Sequence, residues 1–198
     1  MNERAEQLEE IRKKVLNLKK SPLYKYRVEN NYVPVIGGGS ENAQIMFIGE
    51  APGQNEAKTG LPFIGRSGKF LDELLDSIKI KRDDVYITSI VKDRPPKNRD
   101  PKPEEIEIYA PFLDRQIEII EPKVIATLGR FSMDYIMKRY GLESELGPIG
   151  KLHGQVFETE ISGQKVKIVP LYHPAVAIYN QHSKSTLMED FKVLKRLI

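Results

Sequence analysis

Apolar residues recur at two spacings along this chain, and the alternation of the two predicts an α/β fold. In residues 3–20, Ala5, Leu8, Ile11, Val15 and Leu18 fall three or four apart among charged neighbours, the stripe of an amphipathic helix that Pro22 should end. Four short apolar or β-branched runs, residues 44–48, 85–90, 123–128 and 166–171, suit buried strands. Between the first two, Phe70, Leu71, Leu74, Leu75 and Ile78 repeat at helical spacing within residues 66–80, and residues 106–120 do likewise before the third. Pro101 and Pro103 mark the start of that second helix, and Glu104 and Glu105 suit its electropositive first turn. Residues 131–140 read as a third crossover helix, 154–161 with Gly163 as a hairpin, and 185–197 as a closing helix. Strands alternating with helices predict a parallel sheet. Residues 21–42 carry Pro22, Pro34 and Gly37 to Gly39 without a period and read as an irregular loop. No interdomain linker stands out, so one domain over residues 1–198 is expected.

Composition narrows the chemistry. No run approaches the roughly 18 apolar residues of a membrane helix, and the charged start MNERAEQLEE lacks the apolar stretch of a secretory signal. A soluble cytoplasmic protein is the expectation. Zero cysteines remove disulfides, thiol nucleophiles and thiolate-held zinc or iron–sulfur clusters, and three histidines (His153, His173, His182) leave little for a metal site. No cofactor is therefore expected. With 31 basic and 28 acidic residues the net charge is +3, so any polyanion contact has to come from a local patch.

Ligands of open parallel sheets bind beyond the carboxyl ends of the strands, so the loops there carry the candidates. After the first strand, Gly49-Glu50-Ala51-Pro52-Gly53 lets backbone N–H groups approach an anion or a polar ring, although a plain turn has the same signature. Lys58-Thr59 follows, but Pro52 and Ala57 stand where a mononucleotide phosphate loop needs glycines, which removes that reading. Phe63, between two glycines in Gly60-Leu61-Pro62-Phe63-Ile64-Gly65, is either a stacking platform or a core plug. Residues 92–102 hold five basic residues and three prolines, a loop whose cations are expected to face water or phosphate. His173 follows the fourth strand and precedes Pro174, where an imidazole either donates to a developing anion or merely packs and caps. His153 and His182 lack such placement.

In order along the chain, GEAPG (49–53), GLPFIGRSGKFLDELL (60–75), VYIT (85–88), VKDRPPKNRDPKPEEI (91–106), PFLDRQIEIIEPKVIATLGR (111–130) and YHPA (172–175) resemble the uracil-DNA glycosylase superfamily, and within it family 4. The resemblance spans residues 21–198. It implies a three-layer α/β/α sandwich around a central four-stranded parallel sheet. It also implies a monomeric, monofunctional glycosylase that hydrolyses the N-glycosidic bond of uracil or another deaminated base in DNA, without catalytic metal or membrane, in a prokaryotic nucleoid. Motif by motif it implies Glu50, Glu56 and His173 as catalytic, and Gly49, Ala51, Phe63 and Ser89 as base-binding. Arg94, Lys97, Asn98, Arg99 and Lys151 are the implied DNA contacts. In these roles His173 donates toward O2 of the departing base, Glu50 positions water and offsets the sugar cation, and Glu56 supports its loop or assists the water. The alternative is a catalytically weak module that binds single-stranded or damaged DNA through residues 92–102.

The chain departs from the family pattern at two places. Leu23, Tyr26, Asp93 and Tyr109 occupy the positions of four cysteines that hold a [4Fe-4S] cluster in family 4. The expected substitute is apolar and aromatic packing of Leu23, Tyr26 and Tyr109, tying residues 21–42 to the helix. The family's YITN is Tyr86-Ile87-Thr88-Ser89 here, so one rotating hydroxyl replaces an amide with an acceptor and two donors. A lost contact to a buried base edge costs about 1 to 3 kcal/mol, which leaves uracil, hypoxanthine and xanthine open as substrates. Ala57, where the family often has a second acid, is a smaller departure.

Overall fold

The computed structural model describes residues 3–198. Its strands are β1 (Gly38–Gly39), β2 (Ile45–Gly49), β3 (Tyr86–Ser89), β4 (Val124–Leu128), β5 (Phe157–Ile161) and β6 (Gln164–Leu171), joined in one sheet of order β1-β3-β2-β4-β6-β5. The central β3, β2, β4 and β6 run parallel, with Ile48 opposite Thr88 and Thr127, and Leu128 opposite Leu171. The edges differ from the four-stranded expectation: β1 pairs antiparallel with β3, and β5 antiparallel with β6. The predicted hairpin is the β5–β6 pair, whose second strand doubles as the last parallel one.

Helices cover both faces, which is why β2, β3 and β4 are buried along their whole length and β6 over its last four residues. They are α1 (Glu3–Leu16), α2 (Tyr24–Glu29), α3 (Gln54–Thr59), α4 (Arg66–Ser77), α5 (Pro103–Ile120), α6 (Arg130–Arg139), α7 (Ile149–Leu152), α8 (Ala175–Tyr179) and α9 (Gln181–Arg196). Alternate side chains of β2 go to opposite cores. Met46 and Ile48 pack with Val15, Leu113, Ile117 and Ile136 of α1, α5 and α6, while Ile45 and Phe47 pack with Leu71, Leu74, Leu187 and Phe191 of α4 and α9. Among the described residues no helix is long and apolar enough to cross a membrane.

Residues 21–42 are not the irregular loop expected; they contain α2 and β1. The first helix also stops at Leu16, short of residue 20, and a distant side chain caps its end: Arg27 donates to Val15 O at 3.1 Å and Leu16 O at 2.6 Å. The same guanidinium, 5% exposed, meets the Asp93 carboxylate, 1% exposed, at 3.1 Å. Tyr109 donates to Asp93 at 2.5 Å and shares a 2.8 Å hydrogen bond with Ser21. This buried polar corner occupies the place of the family's cluster. Leu23 and Tyr109 do share a core, but the expected aromatic closure is wrong for Tyr26. That ring packs edge-on against Tyr32, and its hydroxyl accepts from Arg94. With no cysteine in the chain, and Asp93 already engaged, these residues do not fit a four-thiolate cluster.

Candidate functional site

A small hollow of about 160 Å³ opens at the carboxyl rim of the sheet, lined by Ala51, Glu56, Phe63, Ser67, Ser89 and His173 with Val35 and three further loop residues. Its size falls below the roughly 300 Å³ of a drug-sized site, which suits a single planar ring. Ser89 lines the hollow from the end of β3; Gly49, its partner across the β2–β3 pair, was expected to bind the base but is not among the lining residues. Glycine is required there: a Cβ on Gly49 would lie 2.9 Å from the Phe63 ring.

Phe63 is neither a core plug nor free. It is half-buried at the wall of the hollow, its ring centroid 5.7 Å from that of His173 and tilted by 35°. Its backbone is left-handed, φ 48°, a conformation that costs a bulky residue about 1 to 2 kcal/mol and persists only where its surroundings enforce it. Glu56 supplies part of that enforcement by accepting from the N–H groups of Ile64 at 3.0 Å and Gly65 at 2.9 Å.

His173 stands opposite. Its Nδ1 accepts from the Ala175 N–H at 3.1 Å, which places the ring proton of the neutral imidazole on Nε2. Burial lowers its pKa to about 4, against a smaller opposing pull from Glu56. The imidazole is therefore a neutral donor at physiological pH. Ser89 offers a hydroxyl with no hydrogen-bond partner among the described residues, while its backbone carbonyl is taken by Lys92.

The remaining candidates separate. Glu50 does not line the hollow; it turns toward Asp100 and Arg130, and burial first, then Asp100, raises its pKa to about 7 despite Arg130. Lys92, read as part of a solvent-facing loop, is instead 0% exposed, its ammonium donating to Thr88 Oγ1, Ser89 O and Gln116 Oε1 at 2.7, 2.6 and 2.5 Å. Burial pulls its pKa well down, yet three acceptors and no donor face the nitrogen, so the geometry calls for the protonated form. Arg99 is likewise engaged, bidentate with Glu105 at 2.5 and 2.8 Å. Arg94 donates to Asn98 Oδ1 at 2.8 Å and to the hydroxyls of Tyr26 and Tyr32 at 3.2 Å. Lys97 and Asn98 are exposed, both with left-handed backbones, φ 57° and 52°. Lys151 is exposed on α7. His153 pairs with Asp190 at 2.8 Å and stacks near Tyr172, as its structural reading anticipated. Ser67 and Val35 were not singled out from sequence. Ser67 sits in the first turn of α4, where helix N-termini ring such crevices, but Val35 lies in the segment read as a loop and gave no signal.

An aromatic ring, a neutral imidazole donor and a small hollow at the carboxyl rim of a parallel sheet give the chain a site able to hold one planar ring. Residues 36–194 match the family model described as the uracil DNA glycosylase superfamily, and the chain belongs to that superfamily. It is 44% identical over 192 residues to a type-4 uracil-DNA glycosylase of Archaeoglobus fulgidus, covering 97% of this chain and 94% of that protein. A type-4 uracil-DNA glycosylase of Saccharolobus solfataricus is 45% identical over 192 residues (96% and 86% covered), and one of Thermotoga maritima 36% identical over 200 (100% and 98%).

Proposed function

We propose that the protein is a uracil-DNA glycosylase of DNA repair, a monofunctional hydrolase that cuts the N-glycosidic bond and leaves an abasic site. The observation that carries this reading is the pair of rings, Phe63 and His173, with centroids 5.7 Å apart on the lining of one small hollow. In it, an everted uracil stacks on Phe63, with Ala51 close beneath and the Ser89 hydroxyl on its polar edge. As the C–N bond breaks, its electron pair passes to the base and charge gathers on O2, where the Nε2–H of His173 donates. Water, positioned by the Glu50 carboxylate, adds to the sugar cation and gives its proton to that carboxylate, which also offsets the cation's charge; the base leaves as the anion. Glu56 acts through the Phe63 loop rather than on the water, because its Oε1 is engaged by two backbone amides.

Lys97, Asn98 and Lys151 contact the phosphates directly in this reading. Arg94 does so from its seat between two tyrosines, and Arg99 mainly shapes the loop through Glu105. The chain acts as one monomeric domain in a prokaryotic cytoplasm, near the nucleoid, and needs no cofactor. Ser89 favours a second reading, in which weak recognition of uracil turns the protein toward other deaminated bases or toward binding alone. Oligonucleotides carrying one uracil, hypoxanthine or xanthine, single-stranded or paired, and then treated with alkali, separate these. Scission at uracil is the expected result; binding without scission at any base would replace the enzyme by a binding module.

A further inference from the structure

Arg82 lies outside the hollow, in the short 3-10 turn Arg82–Asp84 that leads into β3. Its Nη2 donates to the carbonyls of Pro62 at 2.6 Å and Phe63 at 3.1 Å, while Nη1 donates to Asp72 Oδ1 at 2.6 Å on α4. The loop bearing the aromatic ring is thus gripped at four consecutive residues. A cation holds the carbonyls of residues 62 and 63, and the Glu56 anion holds the amides of residues 64 and 65. Each charge meets the backbone dipole it favours. Gly68 completes the clamp, since a Cβ there would fall 1.8 Å from Phe63 O.

We propose that Arg82 is a positioning residue for base capture: it fixes the left-handed backbone of Phe63, and so the pitch of the stacking ring, without touching the substrate. The inference rests on the glycosylase reading for its catalytic consequence, but not for its structural one. Only a planar fork spans two adjacent carbonyls and a carboxylate at once, so lysine is a poor replacement. The ion pair with Asp72 is partly exposed, which leaves global stability little dependent on it.

The chain contains no tryptophan, so Phe63→Trp gives a sole indole at the ring position. Arg82→Met in that background is expected to raise acrylamide quenching of the indole severalfold with the melting curve nearly unmoved. Unchanged quenching would overturn the proposal whether or not the protein has glycosylase activity. In the native background Arg82→Met is expected to lower kcat/KM about tenfold, mostly through KM, the scale of one lost charge-assisted hydrogen bond. In a Phe63→Ala background the same change should cost less than about twofold, because the ring it orients is gone. An equal loss in both backgrounds would mean that Arg82 acts elsewhere and would overturn the assignment. Should Arg82→Met fail to fold, Arg82→Lys, which keeps the charge and loses the fork, is read the same way. It should quench between wild type and complete exposure, and wild-type quenching would contradict the role.

Discussion

Two regions of this protein depart from the pattern of their family, and they do so differently. At the corner where the family places cluster ligands, the substitutions answer one another: Arg27, Asp93, Tyr109 and Ser21 form a closed, buried network with every charge partnered. At the hollow, Ser89 stands alone. Its hydroxyl makes no hydrogen bond among the described residues, and no side chain lining the hollow supplies the amide that the family pattern has there. A structural staple can be rebuilt from different chemistry because only its holding power matters. A recognition contact cannot, because its partner is a ligand of fixed shape. The corner should therefore tolerate exchange of the whole set but not of one member, and the hollow should respond to single changes.

The largest expected effect is at the corner. Asp93→Ala leaves Arg27 as an unpaired buried charge and should cost about 3 to 5 kcal/mol in urea unfolding, whereas Arg27→Met with Asp93→Leu together should cost much less than the two alone. Costs that simply add would show that the corner is not a network. Next comes His173→Ala, expected to lower kcat by about 10² to 10³, close to the 2.7 to 4 kcal/mol of an oxyanion donor, with unfolding nearly unchanged. Ser89→Asn should raise kcat/KM on uracil by roughly 1 to 2 kcal/mol, and an unchanged value would remove Ser89 from recognition.

A smaller effect lies in the pH profile. The carboxylate form of Glu50 is the working one, and its pKa is raised to about 7, so kcat should rise with pH through about 7 and level off above it. His173 is neutral above about pH 4 and contributes no limb between pH 5 and 8. Glu50→Gln should abolish the limb near 7. The smallest effect is expected at Lys97: Lys97→Ala should weaken DNA binding and reduce the salt slope of log K by about one, as loss of a single phosphate contact does.

The central strands were legible because they are buried on both faces, and Phe63 and His173 because loop position and proline neighbours marked them. What escaped the sequence depends on partners far along the chain. Lys92 opens a charged, proline-rich stretch and carries no local sign of its burial, which depends on Thr88, Ser89 O and Gln116, brought together by β3 and α5. The helix α1 ends at Leu16, before the proline that a local reading selects, and its last carbonyls are capped by Arg27 from further along the chain. Of the two edge strands, β5 was legible as part of the 154–163 hairpin, whereas β1 is two glycines and gave no strand signal. Glu50 and Glu56 were recognisable as notable acids, but only the fold shows that Glu56 braces the Phe63 loop while Glu50 lies outside the lining of the hollow.

The chemistry we propose for the hollow turns on a neutral imidazole donating from Nε2 to the leaving base. NMR of ring-labelled His173, with and without an oligonucleotide carrying 2′-fluorinated deoxyuridine, whose glycosidic bond resists cleavage, tests this directly. The ring should remain neutral from pH 5 to 8, with its Nε2 proton moving downfield when the oligonucleotide binds. Titration near the ordinary histidine value of about 6.5, or a ring resonance indifferent to the bound base, would contradict the account.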